Sequence, residues 1–468
     1  MMSDPIPVHD ITPPGTTVDL YASREKIYTR AFTGLFRTVR MLGGGALLLL
    51  YFGTVWLDWG DRQAVWWNLP ERKFFIFGAT YWPQDFILLS GILIVAAFGL
   101  FFITVYAGRV WCGYTCPQSV WTWMFMWCEK ITEGDRNQRI KLDQAPMSAS
   151  KCLRKLTKHT LWLLIGLVTG LTFVGYFSPI RELAVEFFTG QADGWAYFWI
   201  GFFTLATYAN AGWLREQVCI YMCPYARFQS VMFDKDTLIV SYDPRRGEVR
   251  GPRKKDSDHK AQGLGDCIDC TLCVQVCPTG IDIRDGLQIE CIGCAACIDA
   301  CDGVMDKMDY PRGLISYTTE HNLSGQKTHK LRPRLMGYAV VLVAMIGLLV
   351  AAFFLRPLVS LDVSKDRVLF REDAEGRIEN VYSLKIMNKD QRDHRYLLSA
   401  TGLPDLKLQG RREIRVAAGD TVSLPVELSS APQQLPSSAN EVTFILTDAD
   451  DPSIRIEAGS RFIGPHVR

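Results

Sequence analysis

Long apolar blocks alternate with charged ones along this chain. Five stretches of about 20 apolar residues, at approximately 38–58, 85–107, 160–179, 195–213 and 336–355, are long enough to cross a bilayer as helices. A shorter apolar piece, 119–127 (Ser-Val-Trp-Thr-Trp-Met-Phe-Met-Trp), is too short to span and predicts an interfacial or re-entrant helix. Beyond the fifth block the period changes. Short alternating runs at Arg367–Glu372, Val381–Asn388, Thr421–Glu427, Val442–Thr447 and Ile454–Glu457, punctuated by Gly402-Leu-Pro404 and Gly410, predict a small antiparallel sandwich of immunoglobulin-like type. No catalytic constellation is visible in that part.

Composition supports a membrane protein with soluble attachments. Of the 468 residues 48% are hydrophobic, 12% aromatic and 21% charged, with the charge gathered in blocks. The net charge of +2 gives no reason to expect a nucleic-acid partner. No cleavable signal is expected, because the first apolar run is of full spanning length and no small-residue cleavage site precedes a mature domain.

Lys and Arg distribution sets an orientation. The N-terminal segment is basic towards its end, at Arg24, Lys26, Arg30, Arg37 and Arg40. The loop between the second and third spans carries Arg109, Lys130, Arg136, Arg139, Lys141, Lys151, Arg154, Lys155 and Lys158. The next loop has Arg181 against Glu182, Glu186 and Asp193, and Lys327, Lys330, Arg332 and Arg334 precede the last span. These signals agree on an N-terminus inside and a C-terminus outside.

The chemistry is concentrated in one stretch. Cys267, Cys270, Cys273 and Cys277-Pro278 form a C-x2-C-x2-C-x3-C run, and Cys291, Cys294, Cys297 and Cys301 repeat it. This is the spacing of a bacterial two-cluster ferredoxin, in which the fourth Cys of each run ligates the other cluster. Crossing therefore assigns Cys267, Cys270, Cys273 and Cys301 to one [4Fe–4S] cluster and Cys291, Cys294, Cys297 and Cys277 to the second. Zinc knuckles or a disulfide framework fit less well, since zinc sites usually pair two C-x2-C hooks, or a hook with His. Asp302 follows Cys301 where many ferredoxins have proline; altered packing is expected there, with the ligand kept. All 14 Cys lie at or before Cys301, so the ferredoxin should face a reducing cytosol and the cysteine-free tail can face an oxidising compartment.

A second cysteine pattern is duplicated. Cys112-Gly-Tyr114-Thr-Cys116-Pro117 follows the second span and Cys219-Ile-Tyr221-Met-Cys223-Pro224 follows the fourth. Paired membrane repeats commonly share one site. On a continuous helix, thiols at i and i+4 lie on one face, so two such pairs would offer four thiolates about a pseudo-twofold axis. Soft thiolates suit Cu(I), Zn or an iron–sulfur unit. Met124, Met126 and Met222 could add thioethers, although packing is the commoner role of membrane Met. A lone Cys is ordinarily a small buried hydrophobe, the reading kept for Cys128 and Cys152. The 7 histidines, His9, His159, His259, His321, His329, His394 and His466, avoid the spans, with only His159 at a border; a bis-His haem in the bilayer is not expected. No Walker loop or dinucleotide fingerprint occurs. Gly43-Gly44-Gly45 and the Gly166/Gly170 pair predict close helix packing, and Asp85 a helix cap or an outward-facing polar site.

The expected architecture is thus a polytopic α-helical membrane protein of five spans, with an α+β dicluster ferredoxin domain and a C-terminal all-β immunoglobulin-like sandwich. Its segments are a cytosolic N-terminal part (1–37), a four-span domain with the twin motifs (38–235), the ferredoxin-like domain (236–330), the fifth helix (331–357) and the external sandwich (358–468).

This combination resembles the FixG/CcoG/Rdx family, assembly factors for the cbb-type cytochrome c oxidase of bacteria. Matching segments are Leu69-Pro-Glu-Arg-Lys73, Trp82-Pro-Gln-Asp85, Gly108-Arg-Val-Trp-Cys-Gly113, Cys116-Pro-Gln118, Cys301-Asp-Gly-Val-Met-Asp-Lys307 and Tyr310-Pro-Arg-Gly-Leu314. The resemblance implies a bacterial inner-membrane protein that reduces Cu(II) to Cu(I) for the oxidase's copper centre. The eight ferredoxin cysteines would carry the electrons, and Cys112, Cys116, Cys219 and Cys223 would be catalytic copper ligands. Iron–sulfur potentials of roughly −700 to +450 mV permit such a reduction. Its partners would be a cytosolic or quinol electron donor, copper ion and oxidase assembly partners. Two other readings stand beside it: a membrane subunit passing quinol electrons to a partner, and a non-catalytic copper-binding scaffold whose clusters sense redox state.

Overall fold

The computed structural model describes residues 26–465 apart from 256, 259 and 391. His9, Arg24, His259, His466 and most of the expected N-terminal segment lie outside the described residues.

Among the described residues, four helices are long and apolar enough to cross a membrane, by length and composition. α1 (Leu35–Gly53) continues as a 3-10 turn to Trp56. α2 (Phe86–Ala107) follows a loop that the hydrophobic pattern left blank. That loop folds into five short strands: β1 (Asp58–Trp59) and β2 (Arg62–Gln63) pair with each other, and β3 (Val65–Asn68), β4 (Lys73–Ile76) and β5 (Ala79–Tyr81) form a meander. After α2 come a five-residue helix α3 (Val110–Tyr114), α4 (Pro117–Glu133) and α5 (Arg136–Gln144). The expected short apolar piece is thus only the first part of α4. α4 extends 17 residues because Phe125 and Cys128 pack on Trp162, two helices further on, and Glu129 and Glu133 find buried cations.

The third span begins 11 residues before the apolar block. Ser148 caps α6 (Ala149–Gly175) by accepting the Lys151 N–H at 3.2 Å, and the basic segment Lys151–Lys158 is already helical. α6 therefore includes His159, whose Nδ1 lies 2.8 Å from the Tyr208 hydroxyl.

α7 (Ile180–Thr189) leads to the fourth expected span. Here the α-helix, α8 (Gly194–Thr207), is 14 residues long, or about 21 Å, short of the ~30 Å hydrocarbon layer. It runs on as a π-helix from Tyr208 to Leu214, so the expected block is covered by a composite helix. Gly166 and Gly170 let it approach α6 closely: a Cβ on Gly170 would stand 2.7 Å from the Ile200 carbonyl oxygen, and one on Gly166 2.9 Å from that of Thr204. Of Gly43, Gly44 and Gly45, only Gly44 meets a neighbour, Val120.

α9 (Pro224–Met232) leads into the ferredoxin part, where β6 (Ile239–Tyr242) pairs antiparallel with β7 (Ile315–Thr318). Between them lie α10 (Pro244–Gly247), α11 (Leu272–Gln275) and α12 (Ala296–Met308), and α13 (Glu320–Leu323) follows β7. α11 is four residues long and the chain leaves it at Cys277-Pro278. Asp302 supplies the backbone N–H that proline lacks, so α12 runs straight through Cys301. The Asp302 carboxylate accepts the Gly313 N–H at 2.9 Å, the altered packing expected at that position.

α14 (Pro333–Phe354) packs along α2 and delivers the chain to the sandwich. One sheet has the order β12 (Lys407–Gln409), β14 (Thr421–Ser430), β10 (Ile378–Asn388), β8 (Val359–Lys365), with β9 (Arg371–Glu372) also on β10. The other runs β13 (Glu413–Val416), β11 (His394–Thr401), β15 (Ala439–Asp448), β16 (Arg455–Ile463). Every pairing is antiparallel. Tyr382 of one sheet meets Phe444 of the other edge-on, ring centroids 5.0 Å apart, in a core that includes Leu384, Ile386 and Phe462. Of the run expected at Arg367–Glu372, only the last two residues are strand.

The two soluble parts sit at opposite ends of the long helices. At one end Asp299 of α12 caps α1, accepting the Phe36 N–H at 3.1 Å and the Arg37 N–H at 2.7 Å. At the other, Asp85 at the start of α2 pairs with Lys389 of the sandwich at 2.8 Å and Arg356 at 3.6 Å. Asp85 does more than cap. Its Oδ2 accepts the Trp82 N–H at 3.1 Å in the preceding 3-10 turn, and its buried carboxylate ties the sandwich to the helices.

Candidate redox site

The duplicated motifs are alike at the level of the backbone. α2 ends at Gly108 with φ 56°, ψ −122°, and the π-helix ends at Arg215 with φ 45°, ψ −111°. Four residues later come Cys112 and Cys219, in the short helix α3 and in a second π-helical turn, Val218–Met222. Four further on, Cys116 and Cys223 are extended (φ −58°, ψ 127° and φ −82°, ψ 111°), each followed by a proline that starts α4 or α9. The expectation of two thiols stacked on one continuous helix is therefore corrected. Proline sterics push the preceding residue out of the helical region, so each motif breaks at its second Cys. Gly accommodates the positive φ at 108 without cost. At 215 an arginine adopts it, held by Glu129 at 2.6 Å and by the Gly212 carbonyl at 2.8 Å. Non-glycine residues in such conformations gather at functional sites.

The two motifs face each other. The thiol of Cys219 is pushed up to about 12, first by burial and then by Cys116, Cys112 and Cys223. That of Cys112 is pushed up to about 11 by burial and Cys116, against a 3.6 Å contact with the Gln229 amide oxygen. Metal binding would displace those protons. Among the described residues no three of these sulfurs lie within 4.8 Å of one another. A single ion with metal–sulfur bonds of about 2.3 Å would draw them closer.

The first motif also abuts the ferredoxin. A Cβ on Gly113 would stand 2.8 Å from the Cα of Cys294. Arg109, buried, donates to the carbonyls of Cys291 (3.3 Å), Ile289 and Ala226 (2.7 Å). The Tyr317 hydroxyl donates to the Gly293 carbonyl at 2.6 Å and lies 3.2 Å from that of Tyr114. Beside Cys219 a cavity of about 110 Å³ reaches Pro278 and Thr279, with Trp123, Met126 and Arg215 on its walls.

The eight ferredoxin thiols divide between two small cavities. Cys267, Cys270, Cys273 and Cys301 line one; Cys277, Cys291, Cys294 and Cys297 line the other, with Cys273 at its edge. The two loops repeat a backbone pattern. Asp269 and Thr271 have φ of 54° and 53°, and Gly293 and Ala295, at the equivalent places, 65° and 57°. Alternation of this kind turns successive N–H groups inward into the nests found at many iron–sulfur sites. Donor set and backbone both fit [4Fe–4S] clusters. Burial pushes the thiols of Cys291 and Cys301 up to about 12, so cluster assembly there would release protons.

Cys128 is buried against Phe125 and Trp162, and Cys152 is exposed on α6. Sequence reasoning missed Arg109, Gly113, Gln229 and Tyr317 as parts of the site. Arg109 and Gly113 lay inside a matched segment; Gln229 and Tyr317 carried no signal of their own.

Comparison with known proteins places these features. The description "4Fe-4S dicluster domain" matches residues 214–320, and "IG-like fold at C-terminal of FixG" matches 349–465. The chain is 42% identical to Protein RdxB of Cereibacter sphaeroides over 85% of its length and 87% of the relative's. It is 40% identical to Protein RdxA of the same organism (92% and 93% covered) and 38% identical to nitrogen fixation protein FixG of Rhizobium meliloti (82% and 81%). Likeness at this level over nearly the whole chain, with a dicluster domain on its cysteine-rich stretch, makes the chain an iron–sulfur electron-transfer protein of the FixG/Rdx family.

Proposed function

We propose that this protein reduces Cu(II) to Cu(I) at its membrane edge, with Cys112, Cys116, Cys219 and Cys223 receiving the copper. The observation that carries the reading is the contact of Gly113, between two of those thiols, with the backbone of Cys294. No side chain intervenes between the copper motif and the loop assigned to the second cluster. Cys267, Cys270, Cys273 and Cys301 would hold one [4Fe–4S] cluster, and Cys277, Cys291, Cys294 and Cys297 the other. When bound, such clusters supply single electrons at potentials tuned by hydrogen bonds and burial. Each Cu(II) takes one electron, and thiolate ligation favours the Cu(I) product.

The chain's own residues do the positioning. Arg109 ties α3 to the ferredoxin loop, and Gln118 donates to the carbonyls of Asn210 (2.8 Å) and Arg215 (3.2 Å), joining the two motifs. The same reading has five spans, counting the Gly194–Leu214 helix, in a bacterial inner membrane. The N-terminus and ferredoxin are cytosolic and the sandwich periplasmic, where it docks oxidase assembly partners. The cavity beside Cys219 favours a second reading, a quinol-linked electron carrier, because its aromatic wall suits an organic donor.

The test is anaerobic. The reconstituted protein is reduced, freed of reductant and given Cu(II), while cluster absorbance and a Cu(I)-specific chelator are followed together. Stoichiometric Cu(I), lost when the four cysteines become serine, is expected. Clusters that stay reduced with copper but are reduced by a quinol analogue would replace the copper reading with the quinol one.

A further inference from the structure

A second metal-ligating cluster lies away from the thiols. Asp236, His321 and His329 are, among the described residues, the one group of three such side chains whose ligand atoms all lie within 4.8 Å of one another. They come from three segments: the turn after α9, the short helix α13, and the stretch leading into α14. Asp236 Oδ1 stands 2.7 Å from His321 Nδ1 and accepts the His329 backbone N–H at 2.9 Å; its Oδ2 is 3.4 Å from His329 Nδ1.

The base of the cluster is fixed. Thr237 donates to the Val105 carbonyl at 2.9 Å and Leu238 N–H to that of Tyr106 at 3.1 Å, anchoring the turn to the end of α2. His321 N–H donates to the Lys235 carbonyl at 3.1 Å. The neighbouring Asp234 is engaged by Arg332 and the Asp236 N–H, and stays out of the cluster. The Asp236 carboxylate is 10% exposed, His321 21% and His329 70%, so one side opens to solvent. The imidazoles meet edge-on, centroids 5.6 Å apart, and both present Nδ1 to one carboxylate.

We propose that Asp236, His321 and His329 bind a divalent transition-metal ion through two imidazole nitrogens and a carboxylate, Cu(II) more tightly than Zn(II). Such sets bind at about 2.0–2.2 Å and leave positions for water, and Cu(II) heads the divalent affinity order at nitrogen and oxygen sites. The donors then divide by oxidation state, nitrogen and oxygen for Cu(II) and sulfur for Cu(I). That division rests on the copper reading above; the metal site does not.

The test uses the full chain with Cys112, Cys116, Cys219 and Cys223 changed to serine and its clusters oxidised. One equivalent of Cu(II) is added, followed by electron paramagnetic resonance and its pulsed form. A signal modulated by two imidazole nitrogens is expected, surviving an equal amount of Zn(II). H321Q and H329Q should each remove one nitrogen and weaken binding at least about tenfold. His329 is exposed, so H329Q leaves the fold intact, which cluster absorbance checks. An identical Cu(II) signal in both variants, or none at equimolar metal, would overturn the site. Displacement of Cu(II) by equimolar Zn(II) would overturn its preference for copper. Failure of the wild-type chain to reduce Cu(II), with this signal intact, would count against the copper reading alone.

Discussion

Gly113 and Cys294, 181 positions apart, touch backbone to backbone: a Cβ on Gly113 would sit 2.8 Å from the Cα of Cys294 and 2.9 Å from the Gly293 carbonyl oxygen. Backbone cannot swing away as a side chain can. Gly113→Ala should therefore separate the membrane motif from the ferredoxin loop, at about 1–3 kcal/mol of overpacking. Reduced-state electron paramagnetic resonance should show one cluster perturbed and the other unchanged. Two unchanged signals with unchanged stability would mean that the contact is slack.

Crossed ligation makes distinct predictions for two single changes. Cys301→Ser should cost the cluster of the first run, and Cys277→Ser that of the second, each removing half of the bound iron. Iron analysis with redox titration of the remaining signal checks this. If Cys277→Ser spared the Cys291 run and removed the other cluster, the assignment would be inverted.

At Arg215 the backbone and the side chain pull in opposite directions. Its backbone, at φ 45° and ψ −111°, disfavours any residue with a Cβ, by about 1–3 kcal/mol, while its guanidinium satisfies the buried Glu129 at 2.6 Å. Arg215→Ala loses the pair and keeps the strain; Arg215→Gly loses the pair and relieves it. The glycine variant should melt higher than the alanine variant in detergent. Equal melting would place the cost in the side chain alone, and the reverse order would mean that the backbone at 215 carries no strain.

The Asp85, Lys389 and Arg356 cluster is asymmetric. Lys389→Met leaves Asp85 with Arg356 at 3.6 Å. Asp85→Asn leaves two buried cations without their anion, and breaking a buried pair typically costs about 3–5 kcal/mol. Asp85→Asn should thus loosen the sandwich from the helices more than Lys389→Met, read as faster hydrogen exchange in β5 and the start of β8. Equal effects would show that the carboxylate is solvated.

In the sandwich, His394 lies between Asp390, at 3.0 Å, and Asp448, in direct contact. Burial opposes its charge, but the two carboxylates outweigh burial and hold its pKa above the usual histidine value. Its stabilisation is full below the unfolded-state pKa of about 6.5 and is lost as pH rises through the higher folded value. Hydrogen exchange in β11 and β15 should quicken over that window, and His394→Gln should flatten the response. An unchanged profile in the variant would assign the effect elsewhere.

Several features were legible because their causes are local. Apolar length marked α2 and α14 to within three residues and α1 to within five. Period-two alternation found β10, β14, β15 and the start of β16 but missed β8, β11, β12 and β13. The spacing of eight cysteines and the doubled C-x-Y-x-C-P motif were fixed by the sequence, as was the family resemblance they carried. Other features depended on partners far along the chain. Where α6 began was decided by a cap and by buried ion pairs. The break of the motifs at Cys116 and Cys223 was local, set by Pro117 and Pro224, and was missed because an i, i+4 count overlooks proline sterics. Tertiary structure alone set Gly113 against Cys294, Asp299 on the end of α1, Asp85 on Lys389, and two histidines on Asp236. Sequence patterns record whether a residue prefers water or hydrocarbon, whereas a buried charge or a bare backbone is defined by what the fold brings to it.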